Sequence, residues 1–215
     1  MVRRRATGTL ENAMRRWGFH RVAGCDEVGR GCLAGSVVAA AVILAPDRSI
    51  PGVRDSKMTT PSERARLYEA ITRRALAWAV ASASVEEIDD INIHQASLLA
   101  MRRAVLAIAP LPDLVLVDAF RIPLLTIPQR AVPHGDRQCS AIAAASIIAK
   151  VTRDREMLGH HTVDPRYGYD RHKGYGTPAH LAAMALHGYS PIHRRSFRPS
   201  SLFDTMGDTR SPAGE

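Results

Sequence analysis

The apolar positions of the chain fall into short runs whose spacing predicts alternating strands and helices. Arg21 to Asp26 is predicted as a first strand, and Ser36 to Ala45 (SVVAAAVILA) as a second with nearly no polar residue. A strand apolar on both sides belongs inside a sheet covered on both faces. Two strands this close in sequence are predicted to pair as an antiparallel hairpin. Thr60-Pro61-Ser62-Glu63 offers a capping threonine, a proline at the first helical position and a glutamate three residues after the cap. That pattern predicts a helix to about Arg74. Ala77 to Ser84 reads as a third strand and Val85 to Asp90 as a short acidic turn of helix. From Ile93 to Ile108, Ala96, Leu99, Ala100, Ala104 and Ala107 recur at helical spacing and predict a packed amphipathic helix.

Leu114 to Asp118 is a further apolar strand that, like the first, ends in a carboxylate. Residues 119–135, broken by Pro123, Pro128 and Pro133, are expected to form a connection containing one short strand. A helix is predicted from about Arg137 to Arg155; its SAIAAASIIA segment is too apolar for a surface helix and small enough to pack closely on a sheet. A loop rich in Gly, Tyr, His and basic residues follows from Tyr167 to Gly176, then a last helix from Thr177 to about Leu186. There is no internal repeat and no second core. The expected architecture is an α/β fold, a mixed sheet flanked by helices with a C-terminal helical extension, in one domain over residues 21–198. Residues 1–20 are expected to be an arm or short helix, and the polar residues 199–215 a disordered tail.

Composition changes this picture in one respect. Hydrophobic and charged contents of 46% and 23% over 215 residues are those of an ordinary globular protein. The net charge of +8, however, favours a polyanionic partner, nucleic acid first and an anionic membrane second. No apolar run is long enough to span a bilayer, and no apolar stretch follows the basic Arg3-Arg4-Arg5 as a signal peptide would require. Cys25, Cys32 and Cys139 form no Cys-x-x-Cys pair, which speaks against a disulfide framework or a zinc site and fits a reduced, cytoplasmic location.

The candidate chemistry sits at element ends. Asp26 and Asp118 close apolar strands, Asp136 stands at the mouth of the apolar helix, and Glu27 adjoins Asp26. Ligand sites of open α/β sheets gather at strand ends. Hard oxygen donors without a soft Cys or paired His suit Mg²⁺ or Mn²⁺. Each acid alone also has a plain reading: Asp136 as a helix cap, Asp118 as a strand stop, Glu27 as a solvated side chain. Gly29-Arg30-Gly31 could bring backbone N–H groups and a guanidinium to a phosphate. Lys57, and the loop containing His172, Lys173 and Tyr175, could add contacts to a backbone, sugar or base.

Six blocks in register resemble the bacterial type 2 ribonucleases H. They are Asp26-Glu27-Val28-Gly29-Arg30-Gly31, Asp55-Ser56-Lys57, Val117-Asp118, Gly135-Asp136, Ala143 through Asp154, and His172-Lys173-Gly174-Tyr175-Gly176-Thr177. The resemblance implies a ribonuclease H-like fold and an endonuclease that cuts RNA in RNA–DNA hybrids and 5′ to a single ribonucleotide in duplex DNA, leaving 3′-hydroxyl and 5′-phosphate ends. It implies that Asp26, Glu27, Asp118 and Asp136 hold two Mg²⁺ or Mn²⁺ ions. Gly29, Arg30 and Gly31 would read the 2′-hydroxyl, Tyr175 would pack on the deoxyribose side of the junction, and Lys57, His172 and Lys173 would contact phosphate. The expected state is a monomer acting on RNA–DNA hybrid and ribonucleotide-containing duplex; contact of the tail with a replication clamp finds no support in the residues. The chain departs from the family pattern at Ala119-Phe120, where Gly-Asn is common, at His134, where lysine is frequent, and at Ser36, which replaces a common proline. Another ribonuclease H-like nuclease and a catalytically silent nucleic-acid-binding domain are the alternatives.

Overall fold

The computed structural model describes residues 9–46, 50–53 and 60–197. Its elements in chain order are α1 (Thr9–Arg16), β1 (Val22–Val28), β2 (Val37–Leu44), α2 (Pro61–Arg74), β3 (Ala75–Ala83), α3 (Val85–Ala107), β4 (Leu114–Asp118), β5 (Gln129–Val132), α4 (Gly135–Gln138), α5 (Ser140–Val163), a 3-10 turn at Pro165–Tyr167, α6 (Tyr169–His172) and α7 (Pro178–His187). The strands form one mixed sheet in the order β3-β2-β1-β4-β5. The hairpin is antiparallel as expected, β3 adds antiparallel to β2, and β4 and β5 run parallel to β1.

Strand β2 explains the layers. Side chains alternate across a strand, so Val37, Ala39, Ala41 and Ile43 face one side and join Ala96, Ala100, Met101, Ala104 and Val105 of α3. Val38, Ala40 and Val42 face the other and meet Leu67 and Ile71 of α2 and the Ala143–Ala149 stretch of α5. Helix α5 lies unusually near β1. A Cβ on Gly24 would come within 2.1 Å of the Ala141 carbonyl carbon, so only glycine lets this helix sit where it does. No helix among the described residues is long and apolar enough to cross a membrane.

Two expectations are revised. The separation expected between Val85–Asp90 and the helix from Ile93 is seen: Asn92 (φ 66°) interrupts α3 there, and its side chain caps the second segment by accepting the His94 and Gln95 N–H groups. The helix expected from Arg137 to Arg155 is split: α4 ends after one turn, Cys139 adopts an extended conformation, and α5 then runs eight residues past the expected end. A long-range contact serves the helix that starts after the break. Cys139 provides no cap, and the buried Glu11 of α1 accepts the Ala141 N–H at 2.7 Å instead. The arm is therefore a helix docked on the sheet, with Met14 in the core beside Val22 and Ile142. Finally, the glycine- and tyrosine-rich loop contains the 3-10 turn and α6.

The C-terminal extension has its own small core of Ala34, Met157, Tyr167, Tyr169 and Met184, with His180 and His193 buried inside it. The groups facing His180 are His172, His193, Tyr169 and the Tyr175 carbonyl; those facing His193 are Tyr167, Tyr169, Tyr189, Ser190 and, at longer range, Asp164. Burial pulls both imidazoles down from the usual 6.5 to about 4. The sign follows directly. Between about pH 6.5 and 4 the unfolded chain binds protons at these rings that the folded chain refuses, so stability is full above that window and falls within it on acidification. Melting temperatures should be nearly level from about pH 8 to 7 and decline below about 6.5. In NMR titrations of the folded protein, the His180 and His193 ring signals should remain neutral to about pH 5; a midpoint near 6.5 for either would refute the assignment.

Candidate active site

The register places the acids. Cys25 of β1 pairs with Val117 of β4, so Asp26 and Asp118 follow side by side; Asp118 ends β4, whereas β1, expected to end at Asp26, continues along β2 to Val28. Alternation turns Asp26 toward α5, where Ser146 hydrogen-bonds its carboxylate, while Glu27 turns to the α3 side and meets Arg30. The Glu27 N–H donates to Asp26 Oδ1 at 2.8 Å. The Gly135 N–H donates to Asp118 Oδ1 at 2.8 Å, which fixes the turn into α4 against the end of β4 and brings buried Asp136 in as the next residue.

Burial pushes the Asp26 carboxyl well above the usual range, and the Glu27 and Asp118 charges push it further, against the Ser146 and Glu27 hydrogen bonds. Burial also raises Glu27, countered by its 3.3 Å ion pair with Arg30. Like charges pressed together on hard oxygen donors are relieved by a divalent cation, and this donor set fits Mg²⁺ or Mn²⁺. The acids form an open set. Among the described residues no three Asp, Glu, His or Cys side chains close into a metal-binding group.

The Gly29-Arg30-Gly31 segment leaves β1 beside these acids. Arg30 reaches Glu27 with one nitrogen and approaches His94 Nδ1 at 3.5 Å with another, and its guanidinium lies 5.4 Å from the centre of the Phe120 ring. His94 and Phe120 meet edge to face at 5.2 Å. The departure after Asp118 thus has a visible result: Phe120 packs on Arg30. Ala119 takes a left-handed φ of 59°, the conformation glycine adopts at no steric cost.

Two buried arginines that sequence reasoning missed lock this segment. Arg153 of α5 donates to the carbonyls of Ser36 (3.0 Å), Ala34 (2.9 Å) and Lys173 (2.8 Å). Arg194 donates to those of Gly35 (2.8 and 2.9 Å), Arg30 (3.1 Å) and Ser36 (3.2 Å). Cys32 forms a bridge with Tyr175, and the Leu33 N–H donates to the Gly174 carbonyl at 2.8 Å. The loop carrying Tyr175 is thereby stitched to the Gly29–Gly31 segment. Lys150, also missed, stands 5.9 Å from the Tyr175 ring centre and pairs with Asp154 at 2.7 Å. Both Lys150 and Arg153 lie in the Ala143–Asp154 block, where a charged residue inside an apolar helix was the available signal. Arg194 had none.

His172 and Lys173, expected to contact phosphate, have other partners. His172 Nδ1 accepts the Gly174 N–H at 3.2 Å and its Nε2 faces the Tyr167 carbonyl at 2.7 Å, so both ring nitrogens serve the loop. The Lys173 ammonium donates to the Asp170 carbonyl. Lys57 lies outside the described residues.

Gly29 and Gly31 differ in what the fold asks of them. Gly29 has a φ of +96°, and a Cβ there would lie 2.3 Å from Arg153 Nε; at Gly31 nothing lies within 4 Å. Gly29→Ala should cost about 2 kcal/mol or more. At roughly 2–4 °C per kcal/mol for a chain of this size, that lowers melting by at least about 4 °C, while Gly31→Ala should melt within about 2 °C of the parent. Scanning calorimetry of the two variants checks the contrast, and an equal loss at both would contradict it.

Comparisons with known proteins identify the family and the fold. The profile described as Ribonuclease HII matches residues 23–200. The chain is 57% identical over 178 residues to "Ribonuclease HII" of Dechloromonas aromatica (strain RCB), covering 83% of this chain and 91% of that protein. Among solved structures, ribonuclease H2 from Pyrococcus horikoshii OT3 superposes with a TM-score of 0.73 at 25% identity, covering 87% of this chain and 98% of the other. Bst-RNase HIII in complex with Mn²⁺ shares the fold at 22% identity, with a TM-score of 0.72 and coverage of 92% and 73%. High identity over most of both chains separates type 2 from type 3, and the chain belongs to the ribonuclease HII family.

Proposed function

We propose that this ribonuclease H type 2 hydrolase is a metal-dependent endonuclease that cuts the RNA strand of RNA–DNA hybrids and incises 5′ to a single ribonucleotide embedded in duplex DNA, leaving 3′-hydroxyl and 5′-phosphate ends. The observation that carries the reading is the adjacency of mutually repelling carboxylates and an open glycine loop at one end of β1.

Asp26, Glu27 and Asp118 would hold divalent ions, with Asp136 completing the set. Bound Mg²⁺ or Mn²⁺, two ions in this reading, would activate water and neutralise charge on the departing 3′-oxygen. The solved Bst-RNase HIII complex with Mn²⁺ has the same fold and supports this choice of ion. The chain's own contribution is placement. The Gly29–Gly31 backbone offers polar groups to the 2′-hydroxyl, which is both donor and acceptor and absent from DNA. At Gly31 a missing Cβ answers no internal constraint, as expected where a ligand approaches closely. Tyr175, 42% exposed and bridged to Cys32, presents its ring on the deoxyribose side. His172 and Lys173 brace the loop through the Tyr167, Gly174 and Asp170 backbone, and Lys173 keeps N–H donors that could meet a phosphate. All these groups come from one chain, so a monomer suffices.

The test is a duplex DNA with one ribonucleotide, with all-DNA and all-RNA controls. A single cut 5′ to the ribonucleotide is expected, dependent on Mg²⁺ or Mn²⁺ and abolished by chelator. Asp26→Asn and Asp118→Asn should each slow cleavage roughly 100-fold or more while folding persists, and Gly31→Ala should cut poorly despite melting normally. Parent-like turnover in either Asp variant would sink the assignment. Binding without cleavage at any divalent ion concentration would favour a silent binding domain.

A further inference from the structure

The buried histidines form a directed chain that ends on Tyr175. The Ser190 backbone N–H donates to His193 Nδ1 at 2.8 Å, and an amide N–H can only donate. A neutral His193 therefore carries its proton on Nε2, which lies 3.0 Å from His180 Nε2. That nitrogen must accept, so the His180 proton resides on Nδ1, 2.9 Å from the Tyr175 carbonyl oxygen. The same oxygen accepts the Thr177 N–H at 2.8 Å, so both of its lone pairs are used. His172 stacks on His180 at 4.2 Å between ring centres, and its own bonds to Gly174 and Tyr167 fix its ring as well.

We propose that His180 is a positioning residue for the reaction: held in its Nδ1–H tautomer by His193, it pins the Tyr175 backbone and so sets the ring against the Gly29–Gly31 segment. This rests on the reading of Tyr175 as the junction contact. The chain works only with both rings neutral. A proton added to His180 would set two N–H groups facing each other, and one added to His193 would oppose the Ser190 N–H. Burial, which holds both pKa values near about 4, keeps the rings neutral at working pH.

Asparagine can place an amide nitrogen where imidazole has Nδ1, whereas glutamine places it near Nε2. The readout is the ratio of cleavage at a single embedded ribonucleotide to cleavage in a long hybrid, measured for the full chain. Tyr175→Ala should lower this ratio, His180→Gln should lower it comparably, about tenfold, and His180→Asn should stay within about threefold of the parent. Adding His180→Gln to Tyr175→Ala should lower the ratio no further, because both remove one function. An unchanged ratio in His180→Gln beside a lowered one in Tyr175→Ala, or effects that multiply, overturns the proposal alone. An unchanged ratio in Tyr175→Ala overturns the junction reading and the proposal with it. Long-range ¹H–¹⁵N spectra of the unsubstituted protein give a check independent of variant folding. His180 is expected as Nδ1–H and His193 as Nε2–H, and the opposite tautomer at His180 refutes the chain.

Discussion

The arrangement depends on two guanidinium groups buried where the chain turns from β1 into β2. Residues 29–36 run without a continuous strand partner, and their carbonyls point inward, where each needs a donor. Arg153 and Arg194 fill that need from opposite sides, and each guanidinium offers five N–H groups in one plane. Burial lowers the Arg194 pKa to about 10, which still leaves it charged at neutral pH. Hydrogen bonds to charged groups contribute about 1.5–3 kcal/mol each. The effect is to weld the end of β1, the start of β2, helix α5 and the Tyr175 loop into one body, the kind of support a site needs to hold its geometry.

On that support, one strand end serves both recognition and chemistry. Asp26 and Glu27 leave opposite faces of β1, one toward Ser146 and the other toward Arg30, yet both feel the charge of Asp118 on the adjacent strand. Arg30 pairs with Glu27 by a hydrogen bond, and His94 and Phe120 restrict where its side chain can go. The repulsion that makes the carboxylates receptive to metal is thus partly tempered from the loop proposed to read the substrate.

Local patterns were legible in the sequence. The two-faced burial of β2, the capping threonine of α2, the antiparallel hairpin and the acid that closes β4 each depend on residues a few positions apart, and the structure bears these out. Hidden features depend on distant partners. The hydrogen bond that serves the helix start after Cys139 comes from a carboxylate at residue 11, and nothing near Cys139 signals it. The structural role of His172 was equally hidden, because it depends on the Tyr167 and Gly174 backbone groups that face its two ring nitrogens. Arg194 stands in a basic stretch that carries no local sign of the carbonyls it binds.

The contact between Glu11 and Ala141 also bears on where this enzyme begins. The match to the family profile starts at residue 23, after α1 has ended. Hydrogen-bond completeness draws the boundary earlier. The helix that supplies Ser146 to Asp26 and Arg153 to the loop has its first turn closed by a side chain from the segment ahead of the sheet. A chain begun at residue 23 would keep every proposed ligand and deprive the Ala141 N–H of the scaffold helix of this acceptor, so the hydrogen-bonded unit reaches further than the profile match.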